Sequence, residues 1–320
     1  MTPAEPDGVP RRIDTHTHVV PPVYLDWLRS LPGHTGPLIE WSVASALENF
    51  DQLGVRTGIL SVSSPGVRFG SEAKAEETRA LARQVNEYCA EVVRERPQRF
   101  GFFATLVLPD LDGALAEAEY AFDVLGADGI VLPANVDGVY LGAPAWDPLL
   151  EFLDERGAVV FIHPTALAGP PAAGLSPAVV DFLADTTRAA ATLVAGDCLE
   201  RYPAVRFILA HGGGYVPYAA TRIAAMLSRE RAEADVLAQL RRFYFDTALV
   251  GGPYAPASLL AFADPARVTF GSDWPYEFRP RQSHDFTARL DAFPLSGQLR
   301  AALDRRNAEA LFPRLARTGQ

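Results

Sequence analysis

Eight short runs rich in β-branched and aromatic residues recur along the chain: "RIDTHTHV" (12–19), "TGILSVS" (57–63), "FGFFATLVL" (100–108), "DGIVLP" (128–133), "AVVFIHP" (158–164), "VRFILAHG" (205–212), "RFYFDTAL" (242–249) and "RVTFGSDW" (267–274). Runs of this length and composition predict strands. Ala-rich stretches with helical spacing lie between them, over 71–96, 111–126, 176–200, 214–229 and 255–263. Eight strand signals, each followed by a helix or a long loop, predict an α/β fold, a distorted (β/α)8 TIM barrel. A doubly wound open sheet also alternates strand and helix, but the first run lacks the Gly-rich phosphate turn usual there. Residues 20–50 carry Pro, Trp and Leu without a regular period. They are expected to form an irregular insertion after the first strand, on the face where barrel active sites lie. The tail 285–318 reads as helical, closing the bottom of the barrel or packing on a neighbour. Residues 1–11 read as a flexible N-terminus and 12–320 as one domain.

Polar residues gather at the ends of these runs. The first ends in His16 and His18, the fifth in His163, the sixth in His211 followed by three glycines, and the eighth in Asp273. The chain has 6 histidines, and only His34 and His284 fall elsewhere, in apparent loops. Alternate residues of a strand share a face, so Asp14, His16 and His18 are expected to point the same way. In a barrel the C-terminal ends of all strands meet at one mouth, which brings residues 16, 18, 163, 211 and 273 together.

Each residue alone has an ordinary explanation. A His-x-His pair is common without a metal, a single His163 or His211 could be a hydrogen-bonded core histidine, and Asp273 could cap a helix. The combination is more specific. Neutral imidazoles with a carboxylate form a nitrogen and oxygen donor set suited to one divalent ion, zinc foremost, with manganese, iron or cobalt also fitting. Three histidines and one aspartate leave a position open, and the remaining histidine can move protons near neutral pH. Asp14 is placed to orient His16 or His18 from behind.

Bulk properties narrow the class. Acidic residues number 39 against 29 basic, a net charge of −10, which argues against a nucleic-acid partner. A metal or a local arginine still allows an anionic small-molecule substrate. No apolar run reaches membrane-spanning length, and "MTPAEPDGVPRR" has no apolar segment of the secretory type. Cys89 and Cys198 are too few for a disulfide framework. A cytoplasmic location with reduced thiols is expected.

The blocks "DTHTH", "FIHPT", "LAHGGG", "FYFDTAL" and "FGSDWP", in this order over residues 14–274, resemble the amidohydrolase superfamily. The likeness is to the branch that contains aminocarboxymuconate-semialdehyde decarboxylase. "LSVSSPGV", "RFGFFATL" and "GAVVFIHPT" are similar to the 6-methylsalicylate decarboxylases within that branch. The resemblance implies a mononuclear site with His16, His18, His163 and Asp273 as ligands, and His211 off the metal as acid/base. Binuclear relatives carry a lysine at the end of strand four, whereas "DGIVLPAN" has none. The resemblance also implies a homodimer in which Arg222, in "VPYAATR", reaches the partner's site. Arg188, in "DTTRAA", is a second candidate for the substrate carboxylate. Glu48 stands where the aminocarboxymuconate enzyme has an arginine, which argues against that compound as substrate.

The activity expected is metal-dependent, non-oxidative decarboxylation of a hydroxy-aryl or related unsaturated carboxylic acid, with no organic cofactor. The metal would chelate the substrate carboxylate, and His211, or else Asp273, would protonate the ring carbon. Trp274, Phe103 and Tyr140 are candidates for an aromatic wall. The alternative is hydrolysis of a lactone, ester or amide by water activated at the same metal, with Asp273 taking the proton.

Overall fold

The computed structural model describes residues 12–31, 36–67, 75–165, 167, 174–228 and 231–316. The expected flexible N-terminus (1–11), His34, the start of the helix expected over 71–96 and the last residues of the tail lie outside these. The elements run β1 (Arg12–His18), α1 (Pro22–Ser30), α2 (Val43–Leu53), β2 (Val55–Ser61), α3 (Ala75–Glu95), β3 (Phe100–Thr105), α4 (Leu111–Tyr120) and β4 (Gly129–Pro133). A hairpin of β5 (Asn135–Val136) and β6 (Val139–Tyr140) follows, then α5 (Asp147–Glu155), β7 (Val159–His163), α6 (Asp181–Ala195) and α7 (Cys198–Arg201). The rest comprises β8 (Arg206–Leu209), α8 (Val216–Leu227), α9 (Glu233–Leu240), β9 (Tyr244–Phe245), α10 (Ala255–Phe262), α11 (Gln282–Asp291), α12 (Gly297–Ala301), α13 (Asn307–Leu311) and α14 (Pro313–Ala316).

Seven parallel strands form one sheet in the order β1-β2-β3-β4-β7-β8-β9. The eighth run does not build a ladder. Its residues bridge Phe245 through Val268 on one side and Asp14 through Phe270 on the other. Two backbone bonds close the ring there, Thr269 N–H to the Phe245 carbonyl (2.9 Å) and Thr15 N–H to the Phe270 carbonyl (2.9 Å). The result is the distorted TIM barrel that the alternation predicts, with its closing strand reduced to a seam. Among the described residues no helix is long and apolar enough to cross a membrane.

The segment expected to be irregular, 20–50, is a correction. It holds α1 and most of α2. Pro22 suits the first turn of a helix, whose amides lack intrahelical partners. Ser42 and Ser45 exchange hydrogen bonds as a capping box at the start of α2, and Gly54 ends α2 at φ 66°, a conformation that favours glycine. α2 is thus an ordinary β-to-α connection, and α1 is the added piece. α1 buries Tyr24, Leu25, Trp27 and Leu28, and the Tyr24 hydroxyl donates to the Gly66 carbonyl (3.1 Å) beyond β2. His284, expected in a loop, lies on α11.

The C-terminal helices close the bottom of the barrel. Inside the ring, Ile13, Ile59, Phe103, Val131, Phe161 and Ile208 form one apolar cluster with Ala308, Leu311, Phe312 and Leu315 from the tail. Arg314 secures the plug, pairing with Asp128 through Nε and Nη2 (2.6 Å each). Phe103 therefore belongs to this cluster, against Phe161 and Phe312, and not to an aromatic wall at the mouth. Truncating Phe312→Ala empties the centre of the plug. Urea unfolding is expected to register a loss of about 3–5 kcal/mol, the usual cost of such a cavity.

Candidate metal centre

β1 carries two ligand candidates because of a fault in its ladder. Asp14 pairs with Gly58 and Thr17 with Leu60, so three residues of β1 span two of β2. Such a bulge reverses the in-and-out alternation. Ile13 faces the interior cluster, and three residues on, His16 also faces inward, edge-on to Phe161 at 4.8 Å. His18 follows on the same side, its ring centroid 4.9 Å from that of His16.

His163 arrives at the end of β7, and Asp273 three residues beyond the seam. Donor atoms of His16, His18, His163 and Asp273 all lie within 4.8 Å of one another, and all four residues are buried. Asp273 Oδ1 is 3.2 Å from His16 Nε2 and 3.1 Å from His18 Nε2. The outer nitrogens face acceptors. His16 Nδ1 lies 2.7 Å from Asp246 Oδ2, His18 Nδ1 lies 3.2 Å from the Ser61 carbonyl, and His163 Nδ1 lies 2.9 Å from the Pro164 carbonyl. An acceptor at Nδ1 holds the proton there and leaves Nε2 free to bind an ion. The four residues thus fit one divalent cation by donor type, closeness and tautomer.

His211 stands beside this set. Its Nε2 is 3.2 Å from Asp273 Oδ2, and its buried Nδ1 has no hydrogen-bond partner among the described residues. Both His211 (φ 55°) and Asp273 (φ 64°) occupy left-handed backbone conformations, which for non-glycine residues are held only by firm surroundings.

Burial, together with the neighbouring imidazoles of His18 and His16, holds His163 well below the ordinary histidine value. His18 is lowered mainly by burial. Burial opposes protonation of His16 too, but the carboxylates of Asp246 and Asp273 outweigh it and raise His16 to about 10. Burial likewise opposes ionisation of Asp273, and the His16 charge and three imidazole hydrogen bonds reverse that, leaving its pKa well below the carboxylate range. Burial pushes Asp14 up to about 7.

The remaining expected residues fall in different places. Asp14 is buried behind β1, but its Oδ1 accepts from the backbone amides of His16 (3.0 Å) and Ser272 (3.1 Å). It therefore steadies the backbone under His16, while Asp246 orients the ring. Trp274 contributes its carbonyl, which accepts from the His18 amide (2.7 Å) and the Thr17 hydroxyl (3.1 Å). Its indole is half-buried against the outer core. Tyr140 donates to buried Asp185 (2.8 Å), and exposed Arg188 lies 3.5 Å from the Tyr140 hydroxyl. Arg222 is exposed on α8. Glu48 is exposed on α2 beside Gln52. Asp246, Ser61 and Tyr276, whose ring lies 5.2 Å from that of His18, were not anticipated. Ser61 ends β2 and Asp246 directly follows β9, the strand-end position that singles out the histidines.

A narrow cleft opens at His163, lined by Val62, Ser63, Ser64, Thr105, Val131, Pro133 and Thr165 among others. It lies beside the metal-ligand cluster, on the side of the loops after β2, β3, β4 and β7.

The amidohydrolase family model matches residues 13–314. The chain belongs to the amidohydrolase family. It is 37% identical over 327 residues to the decarboxylase yanB of Aspergillus niger, covering 95% of this chain and 88% of that one. It is 36% identical over 320 residues to the 6-methylsalicylic acid decarboxylase of Penicillium expansum, covering 95% and 97%. The crystal structure of 5-carboxyvanillate decarboxylase from Novosphingobium aromaticivorans, complexed with manganese and 4-hydroxy-3-methoxy-5-nitrobenzoic acid, superposes with a TM-score of 0.82 at 21% identity, over 96% of this chain and 97% of that one.

The raised His16 sets the pH dependence of metal binding. With its pKa raised to about 10 by Asp246 and Asp273, His16 is expected to hold a second proton at pH 8 in the metal-free protein, which an incoming ion would displace. Affinity should therefore rise with pH, by about tenfold per unit between pH 8 and 9, because about one proton leaves per ion bound. Competition against a chelator of known affinity checks the slope. A flat profile would mean that His16 is already neutral.

Proposed function

We propose that the chain is a metal-dependent, non-oxidative decarboxylase of a hydroxy-aryl carboxylic acid, with 6-methylsalicylate as the first candidate substrate. The observation that carries this reading is the placement of His211. It touches the ligand carboxylate of Asp273 yet stays outside the four-donor cluster, so its proton is not committed to an ion. The relatives described above are decarboxylases, which favours this chemistry over hydrolysis at the same donor set.

His16, His18, His163 and Asp273 would hold a divalent ion, which would supply Lewis-acid chemistry to a bound carboxylate. Zinc suits three imidazoles and one carboxylate, and the manganese of the 5-carboxyvanillate enzyme makes that ion the second candidate. The aryl ring lies in the cleft beside His163, between Val62, Val131 and Pro133. His211 delivers a proton to the ring carbon bearing the carboxylate. The carbon–carbon bond then breaks, carbon dioxide leaves, and the bonding electrons restore the aromatic ring. Asp273, hydrogen-bonded to His211 Nε2, holds the imidazole in place for the transfer.

Arg222 is assigned to the partner's site in a homodimer. On α8 it shares an exposed face with Tyr218 and Met226, which are 87% and 65% exposed, at the i, i+4 and i+8 spacing that aligns side chains. Arg188 and the indole of Trp274 are placed as further substrate contacts. The buried free thiols of Cys89 and Cys198 fit the reducing cytoplasm.

Metal-reconstituted protein is expected to release carbon dioxide from 6-methylsalicylate, and His211→Ala should lower kcat by about 10²–10⁴-fold, the usual worth of a general acid. Unchanged turnover in that variant would remove His211 from the proton-transfer role. A second experiment tests the shared site. Arg222→Ala and His211→Ala proteins, each inactive alone, should regain activity when mixed and allowed to exchange subunits. No recovery despite exchange would show self-contained sites.

A further inference from the structure

The three histidine donors are not held alike. His18 and His163 turn Nδ1 to backbone carbonyls, which are neutral, whereas His16 turns Nδ1 to the fully buried carboxylate of Asp246. That carboxylate has a second task. Its Oδ1 accepts from the backbone amides of His211 (2.9 Å) and Ala248 (2.9 Å), while Oδ2 faces His16 (2.7 Å). Asp246 is therefore bonded at once to a member of the four-donor cluster and to the backbone of the adjacent histidine, at the point where that backbone turns left-handed.

We propose that Asp246 is a positioning residue for the reaction: one oxygen fixes the His16 tautomer that presents Nε2 to the ion, and the other fixes the turn that aims His211. This rests on the reading of His16 as a ligand. A carboxylate is required on the His16 side because it can only accept, which keeps the proton on Nδ1. An amide in the same place would set Nδ2–H against Nδ1, move the imidazole proton to Nε2, and block the donor. The amide oxygen would still accept from the His211 and Ala248 amides. Asp246→Asn thus inverts one function and spares the other at nearly constant volume.

The test uses the full chain, stripped of metal and titrated with zinc against a chromophoric chelator. Asp246→Asn should bind zinc about 10–100-fold more weakly than the unaltered protein, the usual loss when the group behind a ligand histidine is removed. In a His16→Ala background the same substitution should add nothing. Unaltered zinc affinity in Asp246→Asn, or an equal further loss in the His16→Ala background, would overturn the proposal. If His16→Ala itself binds zinc normally, the ligand assignment fails instead, which separates the two ideas. Should Asp246→Asn not fold, ¹⁵N-histidine spectra of the zinc-loaded unaltered protein decide the matter. The resonance assigned to His16 is expected to show a protonated Nδ1 and an unprotonated Nε2, and the reverse pattern would overturn the assignment.

Discussion

A buried imidazole can give its lone pair to an ion only while its other nitrogen is satisfied, and the mouth of this barrel is organised around that requirement. Removing a polar group from water without a partner costs several kcal/mol, so three histidines cannot be gathered in a dry interior unless each outer nitrogen finds an acceptor. The acceptors come from three places: the carbonyl of Ser61 at the end of β2, the carbonyl of Pro164 just past β7, and the carboxylate of Asp246 just past β9. Only the carboxylate brings charge. That asymmetry explains why burial keeps His18 and His163 neutral while His16 is pulled up to about 10.

The second requirement is backbone strain. His211 and Asp273 both sit at positive φ, where a non-glycine residue costs on the order of 1–3 kcal/mol. Each strained turn is anchored by a buried carboxylate, and the Asp273 turn also by β1. Asp246 holds the amide of His211, and Asp14 holds the amide of Ser272. The His16 carbonyl accepts from the Asp273 amide at 2.8 Å. The HGGG stretch supports the same geometry, since Gly212, Gly213 and Gly214 all have positive φ. At Gly213 an added Cβ would lie 2.6 Å from the Phe245 ring, so that turn has room only for glycine.

Much of this was legible in the sequence because the barrel converts order along the chain into position around a ring. Strand ends were readable from β-branched runs, and the strand-end rule placed His16, His18, His163, His211 and Asp273 at one mouth. The bulge in β1 was not readable, since nothing in "RIDTHTHV" marks where the pairing slips. For that reason simple alternation places Asp14 on the imidazole face, although it serves the backbone beneath. Asp246 is inconspicuous in the sequence for a related reason. A ligand histidine is conspicuous by its type, whereas the acidic residue that holds it stands out only once Nδ1 has a direction. The helices within 20–50 were hidden by Pro21, Pro22 and Trp27, which read as irregular when the start of a helix is not recognised. "RVTF" has strand composition, so the sequence predicts a full strand where the structure has a seam. It makes isolated bridges only, Val268 with Phe245 and Phe270 with Asp14, and its Gly271 passes so close to β1 that an added Cβ would lie 2.8 Å from His16 Cβ.

β7 shows how stability and chemistry are stacked in one element. Val159 and Phe161 belong to the apolar plug, and His163, next on the same face, belongs to the cluster. Phe161 is the boundary. Its ring lies 4.8 Å from His16 and 5.9 Å from His163, and 5.5 Å from Phe103 below. A rigid apolar layer directly beneath the imidazoles excludes water from their undersides, which strengthens every electrostatic contact above it. It also fixes ring positions by packing, a constraint that hydrogen bonds at Nδ1 alone do not impose, since a histidine can pivot about a single such bond. The plug at the bottom of the barrel therefore acts on the mouth through Phe161, and the tail helices that fill it form the floor on which the metal ligands stand.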